Sequence, residues 1–394
     1  MAVSFLGREV SDLCLGKPPL RPLLLSESAT VAEALAALKS SEDSFISVWN
    51  NNKDQEGGGG CVGKVCMVDV VCYLCKEESL LSPSEALKAP VSHVLSKEPG
   101  LVMHLQPSSS LLEAIDLILQ GAQNLVVPIL PTKRSGISRR KQLQHQKAST
   151  INSHNGREFC WLTQEDVIRF LLGSIGIFTP LPALSIDALG IISSDVLAID
   201  YYSPAFSAVG AISKSLTQQT SVAVVDSDGT FIGEISPFNL ACCDETVAAA
   251  IATLSAGDLM AYIDCGGPPE DLVRVVQARL KEKNLEKMLQ EFTILSPFGS
   301  DTSLSSSSSS DEESPKRAAA RPGRHKRSYS YSTRMVRKAE AVVCHPKSSL
   351  IAVMIQAIAH RVNYLWVIED DCSLVGIVTF SNILKVFREH LETI

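Results

Sequence analysis

Four pairs of residues, each three positions apart, carry the chemistry this chain could perform: Cys66 and Asp69, Thr163 and Asp166, Ser236 and Asn239, Thr379 and Asn382. In each, a small hydroxyl or thiol residue closes a short apolar run. A carboxylate or amide follows three residues on, and another apolar run begins. Two kinds of chemistry suit this spacing. A hydroxyl just before a helix, with an acceptor side chain three residues later, ties up the free N–H groups of the first turn as a capping box. The same helix start presents N–H donors and a positive dipole end to an anion such as phosphate. A carboxylate placed there can also accept hydrogen bonds from both hydroxyls of a ribose. Asp69 and Asp166 keep a full charge for that task, whereas Asn239 and Asn382 keep one acceptor oxygen. Any one pair is unremarkable; four pairs in the same setting are a pattern.

The elements that position these pairs repeat as well. In the last stretch, Leu350, Val353, Met354, Ala357 and Ile358 recur on one face of a helix. Residues 364–368 then read as a buried strand, 369–373 as a polar turn, 375–380 as a second strand, and 381 onward as a second helix. With a short strand at 341–343 this is a βαββα unit, too small to hold a core alone. Three more copies are legible. The first has a helix over 31–38, a strand over 45–49, a loose Gly-rich turn at 50–60 and a strand ending at Cys66. The second has a strand at 101–105, a helix over 111–120 and strands over 125–130 and 159–163. The third has a strand at 197–200, a helix over 205–216 and strands over 221–225 and 231–236.

These copies, and above all the junction Gly376-Ile-Val-Thr379 with Asn382, resemble CBS domains, the cystathionine β-synthase repeat, which pair as Bateman modules. Four in one chain resemble the gamma subunit of AMP-activated protein kinase. They are closer still to the plant CBS-domain-only proteins of the CBSX group. The resemblance implies an α/β (α+β) fold of four βαββα repeats in two Bateman modules. Repeat 1 spans 12–80, repeat 2 spans 92–175, repeat 3 spans 190–245 and repeat 4 spans 335–394. It also implies a non-catalytic regulatory protein of the energy-sensing kind, in which an adenosine ligand (AMP, ADP or ATP) sits between paired repeats. Carried over by position, Thr163 and Asp166 match the pattern Gly-h-x-Thr/Ser-x-x-Asp best. Ser236 and Thr379 match it with Asn239 and Asn382 as partners, and Asp69 matches it with Cys66 in the hydroxyl place. The implied partner is a protein kinase complex of the sucrose-non-fermenting type. One departure concerns phosphate. Gamma-type subunits place His and Arg just before the second strand, where this chain has Asp43-Ser44, Gln123-Asn124, Thr220-Ser221 and Asn363-Tyr364. None is basic, which removes the strongest class of phosphate hydrogen bond. A ligand-free scaffold with side chains filling its clefts is the second reading.

The totals set the bounds. At 394 residues and 45% hydrophobic content the chain holds two or three ordinary cores. Its net charge of −7, from 36 basic and 43 acidic residues, gives no general attraction to nucleic acid or anionic membrane. The 11 cysteines are odd in number and irregular in spacing, and the charged N-terminal stretch does not read as a secretory signal. Reduced thiols in the cytoplasm or nucleus are expected. Residues 170–186 lack charge, but Pro180 and Pro182 interrupt them, so no membrane span is expected. The run Gly58 to Lys64 lacks the Ser or Thr that a phosphate loop needs after its lysine, because Val65 stands there. Cys61, Cys66, Cys72 and Cys75 read as core thiols, with a metal or redox site as the alternative. No catalytic triad or dyad is legible.

Three stretches fall outside the repeats. Residues 131–158 are a polar insertion expected to be disordered. Residues 246–295 are helical, with a stripe of Leu272, Val275, Val276, Leu280 and Met288 that predicts packing on the preceding repeat. Residues 296–334 form a Ser-rich tether expected to be disordered. Ser314, before Pro315, and Ser328, after a basic run, are its candidate phosphorylation sites, since arginines lie close enough to hold a phosphate. The basic clusters 139–141 and 324–327 read as solvated loops, with nuclear import signals or phosphate grips as alternatives.

Overall fold

The structure, a computed structural model, describes residues 7–20, 25–26, 28–41, 44–50, 60–129, 158–264, 268–295 and 341–392. A short helix α1 (Val10–Leu13) precedes repeat 1, which comprises β1 (Leu25–Ser26), α2 (Val31–Ser40), β2 (Phe45–Trp49), β3 (Cys61–Cys66) and α3 (Met67–Leu74). Helix α2 begins at a capping box: Glu33 donates its N–H to Thr30 Oγ1 at 3.2 Å and accepts from the Thr30 N–H at 2.7 Å. Two short helices, α4 (Glu77–Leu81) and α5 (Pro83–Ala86), lead to repeat 2: β4 (Val102–His104), α6 (Leu111–Leu119), β5 (Asn124–Pro128), β6 (Phe159–Thr163) and α7 (Gln164–Gly173). Repeat 3 is β7 (Ala198–Asp200), α8 (Val209–Gln218), β8 (Val222–Val225), β9 (Phe231–Ile235) and α9 (Pro237–Cys242). A helical connector follows, α10 (Val247–Thr253), α11 (Ala256–Tyr262), α12 (Glu270–Glu282) and α13 (Glu286–Leu295). Repeat 4 is β10 (Val343–Cys344), α14 (Leu350–His360), β11 (Tyr364–Ile368), β12 (Leu374–Thr379) and α15 (Phe380–Glu392).

Each repeat builds its own three-stranded sheet, with strands in chain order. The first two strands run parallel and the last two antiparallel, as β10, β11 and β12 do. A parallel pair needs a crossover, and the first helix of each repeat supplies it. That leaves each sheet with one face on its own helices and one face bare. The bare faces meet in pairs. Trp49 of β2 packs on Phe159 of β6 at 5.1 Å between ring centroids, joining repeats 1 and 2. Phe231 of β9 packs on Trp366 of β11 at 5.4 Å, joining repeats 3 and 4. These are the two Bateman modules that the repeat pattern implies.

The helical faces pair differently. One core unites the helices of repeats 1 and 3, and a second unites those of repeats 2 and 4. Phe178, after α7, meets Phe387 of α15 edge-on at 4.9 Å in the second core. Arg388 of α15 also donates to Asp116 of α6 at 2.7 Å. Sheets therefore close each module, and helices close one module onto the other.

The connector departs from its sequence pattern in two places. The first part of the helical stretch 246–295 breaks at Ser255, whose side chain accepts the Asp258 N–H at 3.1 Å and starts α11. Residues 268–292 divide into α12 and α13 around Asn284, which sits at φ 55°. The predicted stripe does face inward. Val276, Leu280 and Met288 join the repeat 1 and 3 core, and Arg279 and Lys283 donate to the end carbonyls of α10 at Thr253 and Ala252, at 2.7 and 2.5 Å. The helix predicted over 205–216 opens instead with a 3-10 turn, Ala205–Ala208. Helix α7 ends at Gly173, and among the described residues no helix is long and apolar enough to cross a membrane. Residues 51–59 of the Gly-rich turn, 131–157 of the polar insertion and the tether with Ser314 and Ser328 lie outside the described residues.

Candidate functional site

All four junctions sit where a third strand gives way to a helix, and each is built differently above that point. At β3, the Cys66 N–H donates to the Asp69 carboxylate at 2.7 Å. Asp69 lies low in a cavity of about 1150 Å³, bounded by repeat 1, by the connection at 93–102 and by α8 and α9 of repeat 3. Burial raises the Asp69 pKa above the ordinary carboxyl value; the Cys66 hydrogen bonds and the Lys64 ammonium offset part of that rise. Lys64, two residues before Cys66, reaches across the module to Asn124 Oδ1 at 2.6 Å and lies 5.2 Å from the Phe45 ring centroid. Burial pulls its ammonium pKa down, opposed by its neighbours Cys66 and Asp69. Lys97 of the connection and Lys214 of α8 line the same cavity. A helix start, the Asp69 and Glu98 carboxylates and the ammonium groups of Lys64, Lys76, Lys97 and Lys214 thus share one cleft. That arrangement can hold a diol at one end and a polyanion at the other.

At β6 the capping box is closed. The Thr163 N–H and hydroxyl donate to Asp166 at 2.8 and 2.7 Å, and the Asp166 N–H returns to Thr163 Oγ1 at 3.3 Å. The Lys17 ammonium pairs with the same Asp166 oxygen and also donates to the Trp161 carbonyl at 2.7 Å. The Leu20 N–H bonds to the Phe159 carbonyl at 2.7 Å. The N-terminal segment therefore lies along β6 with a cation on the carboxylate.

At β9, Ser236 Oγ accepts the Phe238 N–H at 3.2 Å, and Asn239 is buried. The Met260 sulfur of α11 crowds Gly233, where an added Cβ would stand 2.6 Å away. At β12, Thr379 donates its N–H and hydroxyl to Asn382 Oδ1 at 2.9 and 2.7 Å. Ser193 and Ile377 exchange backbone hydrogen bonds of 2.9 Å each, so the chain entering repeat 3 adds a short rung to β12. Of the predicted residues, Asp69 and Cys66 line the larger cavity. Thr163 and Ser236 line a smaller one of about 320 Å³ where all four repeats meet. Asp166, Asn239, Thr379 and Asn382 line neither.

The modules also differ between their sheets. Glu234 of β9 occupies the place in repeat 3 that Lys64 holds in repeat 1, two residues before the junction. It is buried, and its side chain accepts from Tyr364 Oη at 2.9 Å and Trp366 Nε1 at 2.7 Å. Tyr364 and Asn124 are equivalent in turn, paired opposite Thr379 and Thr163.

Topology, pairing and junctions now agree with one family. A model of the CBS domain matches residues 334–389. The CBS domain-containing protein CBSX5 of Arabidopsis thaliana is 54% identical over 404 residues, covering 100% of this chain and 99% of its own. The chain belongs to the CBSX family of CBS-domain proteins. A more distant Arabidopsis relative, the SNF1-related protein kinase regulatory subunit gamma-like PV42b, is 22% identical, covering 97% of this chain and 95% of its own. The crystal structure of protein MJ1225 from Methanocaldococcus jannaschii shares the fold at TM-score 0.51 and 15% identity, over 96% of this chain and 100% of that one.

Within this CBS protein, the residues that sequence reasoning missed are the cations. Positions just before the second strand are not basic, and two of them, Gln123 and Asn363, join repeats instead. Gln123 Nε2 donates to the Leu216 and Thr217 carbonyls of α8 at 2.8 and 2.6 Å, and Asn363 Nδ2 to Gln219 at 3.0 Å. Lys64 stands two residues before the Cys66 junction, whereas Lys97 and Lys214 come from other places in the chain, where no junction motif announces them. The four-cysteine cluster holds core thiols, with burial pushing Cys61 and Cys72 up to about 12. No group of three or more metal-ligating side chains occurs among the described residues.

Proposed function

We propose that this CBS protein is a non-catalytic sensor that binds an adenosine phosphate in the cavity beside Asp69 and thereby alters its hold on a protein partner. The observation that carries this reading is that cavity: about 1150 Å³, with Asp69 at a helix start and Lys64, Lys97 and Lys214 on its walls. Asp69 would take the ribose hydroxyls, and the ammonium groups the phosphates. Lys214 belongs to repeat 3, so an occupant of the first module would also touch the second. The kinship with PV42b favours a protein kinase complex as the partner. Asp166 carries the better family motif, but Lys17 already holds its carboxylate.

Calorimetric titration of the full chain with AMP, ADP and ATP tests the ligand. Saturable heat that Asp69→Ala weakens and Asp166→Ala leaves intact is the expected result. Silence for all three nucleotides would overturn the reading and leave the scaffold reading, which the filled Glu234–Tyr364–Trp366 interface already favours for the second module.

A further inference from the structure

We propose that Cys14 and Cys160 are a modification site: a thiol pair that peroxide converts reversibly into a disulfide, fastening the N-terminal segment across the Asp166 junction. The proposal stands on how that segment is laid down. Around α1, the Val10 and Ser11 N–H groups donate to the Ser109 and Pro107 carbonyls at 2.8 Å each, and Leu111 donates back to Arg8 at 2.8 Å. Farther along, Lys17 bonds to the Trp161 carbonyl and Leu20 to that of Phe159. Those two β6 residues flank Cys160, so the segment is held on both sides of the point where Cys14 meets β6. The two side chains neighbour one another, Cys160 inside the repeat 2 and 4 core and Cys14 packed against it.

The two sulfurs are unequal. Cys14 is half-buried and Cys160 fully buried. The hydrogen bond from Cys160, aided by the Lys17 ammonium, holds the Cys14 thiol below its ordinary pKa, while the same contact and burial raise that of Cys160. Cys14, the sulfur of the two that solvent reaches, is therefore the one that attacks as thiolate. Its sulfur takes one oxygen from hydrogen peroxide, giving a sulfenic acid and releasing hydroxide, which takes up a proton to become water. The Cys160 sulfur then displaces the sulfenic hydroxyl, which leaves as a second water with the Cys160 proton. One S–S bond forms, two thiols are oxidised and one peroxide is reduced. A dithiol reverses it by exchange. The other cysteines differ: Cys61, Cys72 and Cys75 are held protonated by burial, and Cys242 and Cys372 are exposed.

The readout is a covalent bond, so it stands or falls independently of nucleotide binding. Full-chain protein is reduced, desalted, treated with hydrogen peroxide, and digested without reductant for mass spectrometry. The expected result is a Cys14–Cys160 linked peptide that dithiothreitol removes and Cys14→Ser abolishes. In Cys160→Ala, checked for an intact thermal transition, dimedone should trap the sulfenic acid at Cys14. Hydrogen exchange over residues 8–20 should slow in the oxidised chain. Oxidation of Cys242 or Cys372 with no Cys14–Cys160 peptide would overturn the proposal.

Discussion

The two modules share one backbone plan and differ at one position between their sheets. In the module of repeats 1 and 2 it is Lys64, reaching to Asn124 beside an open cavity. In the module of repeats 3 and 4 it is Glu234, clasped by Tyr364 and Trp366. A base there leaves positive charge beside a cavity that can take an anion. An acid held by two ring donors makes a closed seam. One duplicated architecture thus carries two arrangements: the first half leaves a cavity beside its lysine, and the second fills the equivalent place with an acid held by two rings.

The contrast can be broken by removing each charge. Glu234→Ala strands two buried donors and should lower unfolding stability by about 3 kcal/mol in chemical denaturation, whereas Lys64→Ala, whose partner faces a cavity, should lower it by only about 1 kcal/mol. Equal losses would erase the distinction. Glycines on the two third strands sharpen it. A Cβ at Gly376 would come 2.4 Å from the Ser193 carbonyl oxygen, and one at Gly63 2.9 Å from a Leu95 methyl. Backbone cannot yield as a side-chain tip can, so Gly376→Ala should cost about 2 kcal/mol and Gly63→Ala under about 1 kcal/mol. On the ligand side, Asp69→Ala should weaken ATP binding about 30-fold, the loss of charge-assisted bonds worth about 2 kcal/mol. Lys17→Ala, which frees Asp166, should add a second calorimetric site to the first.

The smallest effect is one of pH. Because burial raises the Asp69 pKa, the folded chain holds that proton more tightly than the unfolded chain. Below the ordinary value of 3.8 both states are protonated and there is no penalty; as pH rises from there through the folded value, stability falls. Asp69→Asn should flatten that limb of a stability–pH profile and leave the nucleotide-free protein slightly more stable at neutral pH. A profile unchanged by Asp69→Asn would mean that the carboxyl is well solvated in the cavity.

Much of this plan is written in local sequence. The strand at 45–49, the helix from Leu350 and the cap at Thr30 follow from apolar period and capping residues within a few positions of one another. The junctions were legible for the same reason, being a three-residue pattern. Which junction opens onto a cavity was not legible, because the deciding side chains come from elsewhere. Lys17 lies 149 residues from Asp166, and Lys214 reaches the Asp69 cavity from another repeat. Alternating apolar residues also hid the break at Ser255, since a cap of the form Ser-x-x-Asp does not interrupt a hydrophobic stripe.

The cross-pairing of helices bears on how this molecule can be divided. Each apolar core draws its residues from both modules, repeats 1 and 3 in one and repeats 2 and 4 in the other. Scission in the stretch between repeats 2 and 3 would bare four greasy half-cores at once, two on every fragment. The visible seam in the amino-acid pattern is therefore no place to cut: neither half is a miniature of the whole, and the chain is built to survive or fail as one piece.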